Sequence, residues 1–260
     1  MIEMTHVAKS FAGHPVLRDV SLTVAEGESV VLIGRSGSGK SVMLRHILGL
    51  IQPDSGRVVV DGVPVSERDE REIYGVRRKI GMLFQNAALW DSMSVYDNIA
   101  LALRHHKMLD EEEISERVES CLSSVGLGGI GDKMPSELSG GMRKRVGLAR
   151  AIATRPTYML YDEPTTGLDP IMSAIINELI IRLNEELKVT SLTITHDMRS
   201  AMEIADRILM LHRGTIIFDG TPEQLAASDD PVVRQFYTGS SEGPIHPIHT
   251  DHYTRTLRHH

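Results

Sequence analysis

The chain has 260 residues, 41% of them apolar and 24% charged, with a formal net charge of -7. That length buries one sizeable core, or one core with a small appended subdomain, and the composition excludes global disorder. A net negative chain also lacks the dominant basic face of a duplex-coating protein; its one dense basic stretch, residues 68–79, is interleaved with Asp69, Glu70 and Glu72 and reads as a solvated face.

Cys121 is the only cysteine, so no intrachain disulfide forms and a reducing compartment fits. No apolar run reaches the roughly 20 residues of a membrane span. The longest candidate, near residues 175–183, is broken by Glu178 and Arg182 and followed by Glu185 and Glu186. The opening MIEMTHVAKSF lacks the charged start and apolar run of a signal peptide. Membrane contact is therefore expected only through partners.

The first 33 residues read as short strands and turns, with Val20, Leu22 and Val24 alternating with Ser21 and Thr23. Glu26-Gly27 turns the chain into SVVLIG, an unbroken apolar run of the kind buried on both faces of a parallel sheet. A glycine-rich loop follows, then VMLRHILGLI at helical spacing, stopping before Pro53 and Gly56. VVVDG resumes strand character. Residues 87–155 are predominantly helical: Ile114, Val118, Cys121, Leu122 and Val125 share one face, with Cys121 read as a small core residue. Sheet-like runs then return in TYMLYD, SLTITH and RILMLH, separated by helical segments. That alternation predicts a parallel α/β sheet carrying an inserted helical subdomain. Residues 1–228 are expected to form this unit. Residues 229–260, rich in Pro, Gly, Ser and His, read as an extended tail that folds only against a surface. Its histidines, His246, His249, His252, His259 and His260, are too irregularly spaced for a metal site.

Gly34-Arg35-Ser36-Gly37-Ser38-Gly39-Lys40-Ser41 fits the phosphate-loop pattern of glycine, four residues, glycine, lysine, serine. Glycines let successive N–H groups curl around phosphate oxygens, and the next helix adds its positive end. Lys40 would reach the β- and γ-phosphates of ATP, and the Ser41 hydroxyl would ligate Mg2+. The run Tyr158-Met159-Leu160-Tyr161-Asp162-Glu163 delivers two carboxylates at a strand end. Asp162 would hold Mg2+ through water, and Glu163 would polarise the attacking water. An Asp-Glu pair alone is as well explained as a solvated strand cap; beside a phosphate loop it gains meaning. Leu138-Ser139-Gly140-Gly141-Met142 precedes the helical RKRVGLARAIA and forms a second helix-start anion site. Two phosphate-facing devices in one chain fit sites shared across a dimer.

In this order, with Gln85 at a strand end, Gly167-Leu168-Asp169 and then His196, the motifs resemble those of an ABC transporter ATPase over nearly the whole chain. The resemblance implies a P-loop NTPase core with an N-terminal antiparallel β-subdomain and an inserted α-helical subdomain. It implies a head-to-tail homodimer, ATP lying between the phosphate loop of one copy and Ser139, Gly140 and Gly141 of the other. Gln85 would sense Mg2+ and the attacking water, Asp169 would couple the two sites, and His196 would contact the γ-phosphate. Phe11 matches the adenine-stacking aromatic, although a phenylalanine near a strand is ordinarily core. Residues 86–98, with Trp90 and Tyr96, would form the groove for a permease coupling helix, or simply local packing. Met142 stands where glutamine is commonest. That departure, with MLFQNAALWDSMSVYDNIALALR, PSELSGGM and VRQFYTGSSEGP, is similar to ATPases of MCE-protein systems such as the Mla-type lipid transporters.

The resemblance then implies phospholipid transport with a membrane permease and an MCE-domain lipid-binding protein, the chain lying on the cytoplasmic side of the inner membrane. By the same likeness, residues 232–244 would pack on the other ATPase subunit. An ABC importer ATPase for amino acids or another small polar solute shares every core motif. A non-transport ABC ATPase acting on nucleic acid or ribosomes would favour a coiled-coil insertion, paired ATPase units or basic arms, and none is seen.

Overall fold

The computed structural model describes residues 1–245 except Arg68 and Met108. The five tail histidines and the first residue of the basic stretch lie outside the described residues. In chain order, β1 (Ile2–Phe11) and β2 (His14–Val24) form a hairpin, followed by β3 (Ser29–Ile33), α1 (Lys40–Ile47), β4 (Ser55–Val60), β5 (Val63–Pro64), α2 (Glu70–Arg77) and β6 (Ile80–Leu83). Three helices come next, α3 (Val95–His106), α4 (Glu111–Ser124) and α5 (Gly140–Ile152). The chain closes with β7 (Tyr158–Asp162), α6 (Pro170–Leu187), β8 (Thr190–Thr195), α7 (Met198–Ile204), β9 (Arg207–His212), β10 (Thr215–Gly220), α8 (Pro222–Ala226) and α9 (Pro231–Thr238).

The strands make one mixed sheet in the order β5-β4-β1-β2-β10-β9-β3-β8-β7-β6. β5, β4, β1 and β2 pair antiparallel, whereas β6, β7, β8, β3 and β9 run parallel. Burial explains the difference: every residue of β8 is buried and β3 is nearly so, as strands covered on both faces must be, while β2 alternates buried and exposed positions. Register sets the functional edge. Ile33 pairs with Thr195, Asp162 with Ile194 and Leu83 with Tyr161, so four parallel strands end nearly level.

The helical block α3–α5 leaves the sheet after β6 and returns at β7. Ile114, Val118, Cys121, Leu122 and Val125 are all buried, and burial pushes the Cys121 thiol up to about 11. Residues 231–238 are helical rather than extended. Asp230 caps α9 by accepting from the amides of Val232 and Val233, and Pro231 sits at the first turn. Val232, Val233, Phe236, Tyr237 and Ile245 pack on the chain's own core. The Gln235 carboxamide clasps the returning loop, donating to the carbonyls of Ser240 and Ile245 and accepting from the Ile245 amide. In the single chain this segment finds its surface on its own body.

One buried polar network crosses the parallel strands. The Tyr161 hydroxyl donates to Asn184 Oδ1 at 2.8 Å, and Asn184 Nδ2 donates to Ser191 and Ser29 Oγ. Removing the Tyr161 hydroxyl leaves that amide oxygen buried without its donor. Tyr161→Phe is expected to lower unfolding free energy by about 1–3 kcal/mol, measured as a shift of the urea midpoint at unchanged slope.

Candidate nucleotide site

The loop between β3 and α1 wraps the sheet's carboxyl edge. Gly34 has φ +154, and a Cβ there would lie 2.5 Å from the Leu211 carbonyl oxygen, so only glycine fits this close approach. Gly39 has φ +109, and a Cβ there would meet the Leu17 side chain at 2.9 Å. Lys40 opens α1 and turns back under the loop, donating to the carbonyls of Gly34 at 2.7 Å and Arg35 at 3.2 Å. It is nearly fully buried, and desolvation lowers its pKa despite the pull of Glu163. Lys40 Nζ stands 3.6 Å from Glu163 Oε1.

Glu163 follows the last residue of β7 at φ +49, in the left-handed region. A glutamate held there carries about 1–3 kcal/mol of strain, and the conformation swings its carboxylate off the strand toward the loop. Three groups meet that carboxylate. His196 Nδ1 lies 2.7 Å from Oε2, the Thr166 hydroxyl donates to Oε2 at 3.1 Å, and Lys40 faces Oε1. His196 comes directly after β8, and its side chain is 56% exposed, open to a ligand on its outer side. The loops behind them share a buried hydroxyl: Ser200 Oγ donates to Asp197, so it accepts from Asn177 and from Thr165.

A cavity of about 810 Å³ lies over the loop. Arg35, Ser36, Gly37, Gly39, Lys40, Ser41, Gln85, Glu163 and His196 all border it. This brings together the expected phosphate-loop and catalytic residues except Gly34 and Ser38, which lie in the loop itself. Ser38 Oγ and Asp162 Oδ1 are buried oxygens without a hydrogen-bond partner. Burial first, and then the Glu163 charge, raise the Asp162 carboxyl above its ordinary value. Asp162 lies outside the cavity lining; together with Ser41 and Gln85, which border it, it supplies an all-oxygen donor set. Mg2+ typically takes one or two protein oxygens and completes its shell from phosphates and water, so these residues fit that ion. Among the described residues no His/Cys/Asp/Glu group large enough for an all-protein metal cage occurs.

Other expected residues are not brought to this cavity. Ser139 caps α5 by accepting from the Met142 amide. Gly140 instead borders a separate cavity of about 530 Å³, with Gln85, Arg143, Lys144, Gly167 and Leu168. Gly141 is buried against Met172. Asp169 caps α6, accepting from the amides of Ile171 and Met172. Phe11 is exposed, with Lys9 Nζ 5.7 Å from its ring centroid, and does not border the nucleotide cavity. Of the two aromatics in residues 86–98, Trp90 is exposed beside Phe84, Arg77 and His106, whereas Tyr96 packs under Arg104.

Sequence reasoning missed two contributors. Gln235, Phe236, Ser240 and Ile245 form one wall of the cavity; a short helix bounded by Pro and Gly gave no periodic signal long enough to read. Lys144, within a basic run that looks solvated, is 4% exposed, and burial pushes it down to about 8.

Comparison with known proteins accords with this geometry. The family model described as "ABC transporter" matches residues 17–166. The chain is 44% identical over 244 residues to the probable ribonucleotide transport ATP-binding protein mkl of Mycobacterium tuberculosis, covering 94% of this chain and 68% of that one. It is 40% identical over 245 residues to the intermembrane phospholipid transport system ATP-binding protein MlaF of Haemophilus influenzae, covering 94% and 93%. Among solved structures, the dimeric post-hydrolysis state of the ATP-binding cassette MJ0796, bound to ADP and Pi, superposes with a TM-score of 0.78 at 33% identity, covering 85% of this chain and 99% of that one.

The raised Asp162 carboxyl has a consequence for the ligand-free chain. A carboxyl that titrates higher when folded subtracts from stability as pH rises past its unfolded value of 3.8, and the whole loss is present above the folded value. Asp162→Asn removes that charge, and is expected to raise stability near neutral pH by about 1 kcal/mol. Calorimetry of the nucleotide-free chain should register this as a gain of about 2–4 °C in Tm.

Proposed function

This chain belongs to the ABC transporter family, and on that premise we propose that it is the ATPase subunit of a phospholipid transporter, acting as a homodimer beneath membrane-embedded permease subunits. The reading of the chemistry is carried by one observation: Lys40, from the start of α1, and Gln85, Glu163 and His196, from beyond the ends of β6, β7 and β8, border a single cavity over the phosphate loop.

Lys40 holds the loop closed through the Gly34 and Arg35 carbonyls, and its ammonium is placed to neutralise charge on the transferred γ-phosphoryl. Glu163 aligns a water in line with the bond to be broken. As the water oxygen bonds to phosphorus and the bridging oxygen departs with ADP, the water proton passes to the Glu163 carboxylate. His196 fixes that carboxylate through Nδ1, and its exposed edge would contact the γ-phosphate. Ser41, Gln85 and Asp162 would hold Mg2+, which when bound supplies positive charge to the phosphate oxygens. Most of the catalysis is therefore positioning and electrostatics.

The helix start capped by Ser139 borders, through Gly140, a different cavity from that of Lys40 in the same chain. This supports a head-to-tail pair in which each nucleotide is completed by Ser139, Gly140 and Gly141 of the other copy, with Asp169 at the contact between sites. Among the described residues no helix is long and apolar enough to cross a membrane, and attachment to the inner membrane would run through the permease and an MCE-domain partner. The cargo reading rests on extent of likeness: the match spans 93% of MlaF but 68% of mkl. The name of mkl favours a second reading, a small polar solute of the ribonucleotide kind.

Glu163→Gln should retain ATP binding while lowering turnover by about 10² to 10⁴-fold; near-wild-type phosphate release would remove Glu163 from this role. Affinity purification of the tagged chain from native membranes separates the cargoes. An MCE-domain protein with a multi-spanning permease supports the lipid reading, and a periplasmic solute-binding protein overturns it.

A further inference from the structure

A lysine ammonium in a protein interior is expensive unless its donors are used. Lys144, on the second turn of α5, is 4% exposed and lies outside the nucleotide cavity, so the hydrolytic scheme above leaves it unexplained. Its Nζ donates to two main-chain carbonyls, that of Gln85 at 2.5 Å and that of Glu163 at 3.1 Å. These are the backbone units of two residues bordering the nucleotide cavity, brought in from β6 and β7 by loops far apart in sequence.

The rest of that helix face supports the same contact. Gly147, one turn on, lies so close that a Cβ would meet Leu83 Cδ1 at 2.9 Å and Ala87 Cβ at 3.2 Å. Arg150, another turn on, donates to the carbonyls of Ala87 and Ala88, each at 2.6 Å. Ala87 and Ala88 both sit at positive φ, so the loop after Gln85 is held in a conformation it would not keep alone. Arg150 and Gly147 touch only the Gln85 side; Lys144 reaches the Glu163 side as well.

We propose that Lys144 is a positioning residue that ties the Gln85 and Glu163 loops to the helix beginning at Ser139, so that a ligand docking at the start of α5 moves both loops of the same chain together. The start of α5 opens on the cavity bordered by Gly140, Lys144, Gln85 and Gly167. A shift there is transmitted through one rigid helical turn to two carbonyls, with no intervening flexible segment. The inference rests on the ATPase reading and adds to it a link between the chain's two phosphate-facing ends.

The test compares the full-length wild type with Lys144→Met, which keeps the stem and removes the donors, and Lys144→Gln, whose amide restores N–H donors without charge. Lys144→Met should lose about 10-fold or more in kcat with KM for ATP within about 2-fold, and Lys144→Gln should recover a substantial part of that loss. Unchanged kcat in Lys144→Met, or a loss confined to KM, overturns the proposal. Should Lys144→Met fail to fold, hydrogen exchange of the otherwise native Glu163→Gln chain decides. ATP with Mg2+ should protect residues 84–88 and 140–145 in step, and protection of 84–88 alone overturns the link. A wild type without ATP turnover would instead refute the ATPase reading itself.

Discussion

The level register of β6, β7, β8 and β3 is the constraint on which everything else depends. A slip of one residue in any pair would rotate that strand's side chains to the opposite face and carry its terminal loop about 3.3 Å along the edge. The loop residues Glu163, His196 and Gly34 follow directly from those ends, and Gln85 lies two residues past its own. Their convergence is therefore bought by hydrophobic packing of Val31, Leu32, Leu160 and Leu192 rather than by attraction among the polar groups themselves.

Those polar groups in fact resist assembly. Lys40 and Lys144 are buried cations, Asp162 keeps an oxygen without a donor, and Glu163 has a left-handed backbone. Charge alone does not settle the arrangement: for Lys40 desolvation outweighs the attraction of Glu163. What compensates is the main chain. Lys40 and Lys144 donate to carbonyls that loops would otherwise point into the interior unsatisfied. Each lysine thus stabilises a backbone conformation that no local propensity would choose. Strain concentrated at an edge held by a stable sheet is the usual physical condition of a site prepared for a charged ligand.

Legibility in the sequence followed the range of each interaction. The phosphate loop is local: its glycines, Lys40 and Ser41 do their work within eight consecutive positions, and their pattern can be read directly. The apolar runs SVVLIG, TYMLYD and SLTITH announce buried parallel strands because burial on both faces leaves no alternation. The face of Ile114, Val118, Cys121 and Leu122 announces α4 for the complementary reason. What escaped is non-local or short. Lys144 sits between Arg143 and Arg145, and nothing in RKRV separates the buried cation from its exposed and half-buried neighbours. α9 is only eight residues long between Asp230 and Gly239, and its order comes from the Gln235 clasp onto Ser240 and Ile245. Phe11, by contrast, is a residue type suited to stacking, and it stands exposed beside Lys9, outside the lining of the cavity.

The single chain is also incomplete in a way that its own geometry displays. One cavity has a phosphate loop, the Glu163 carboxylate and a histidine, but one wall of it is made by Phe236, Ser240 and Ile245, which offer no helix-start donors. The helix start that would suit an anion, capped by Ser139, borders another cavity through Gly140. Between the two lie Gln85, which borders both, and Lys144, which holds it. In the proposed head-to-tail pair, a second copy carrying nucleotide on its own loop presents that anion to Ser139 symmetrically.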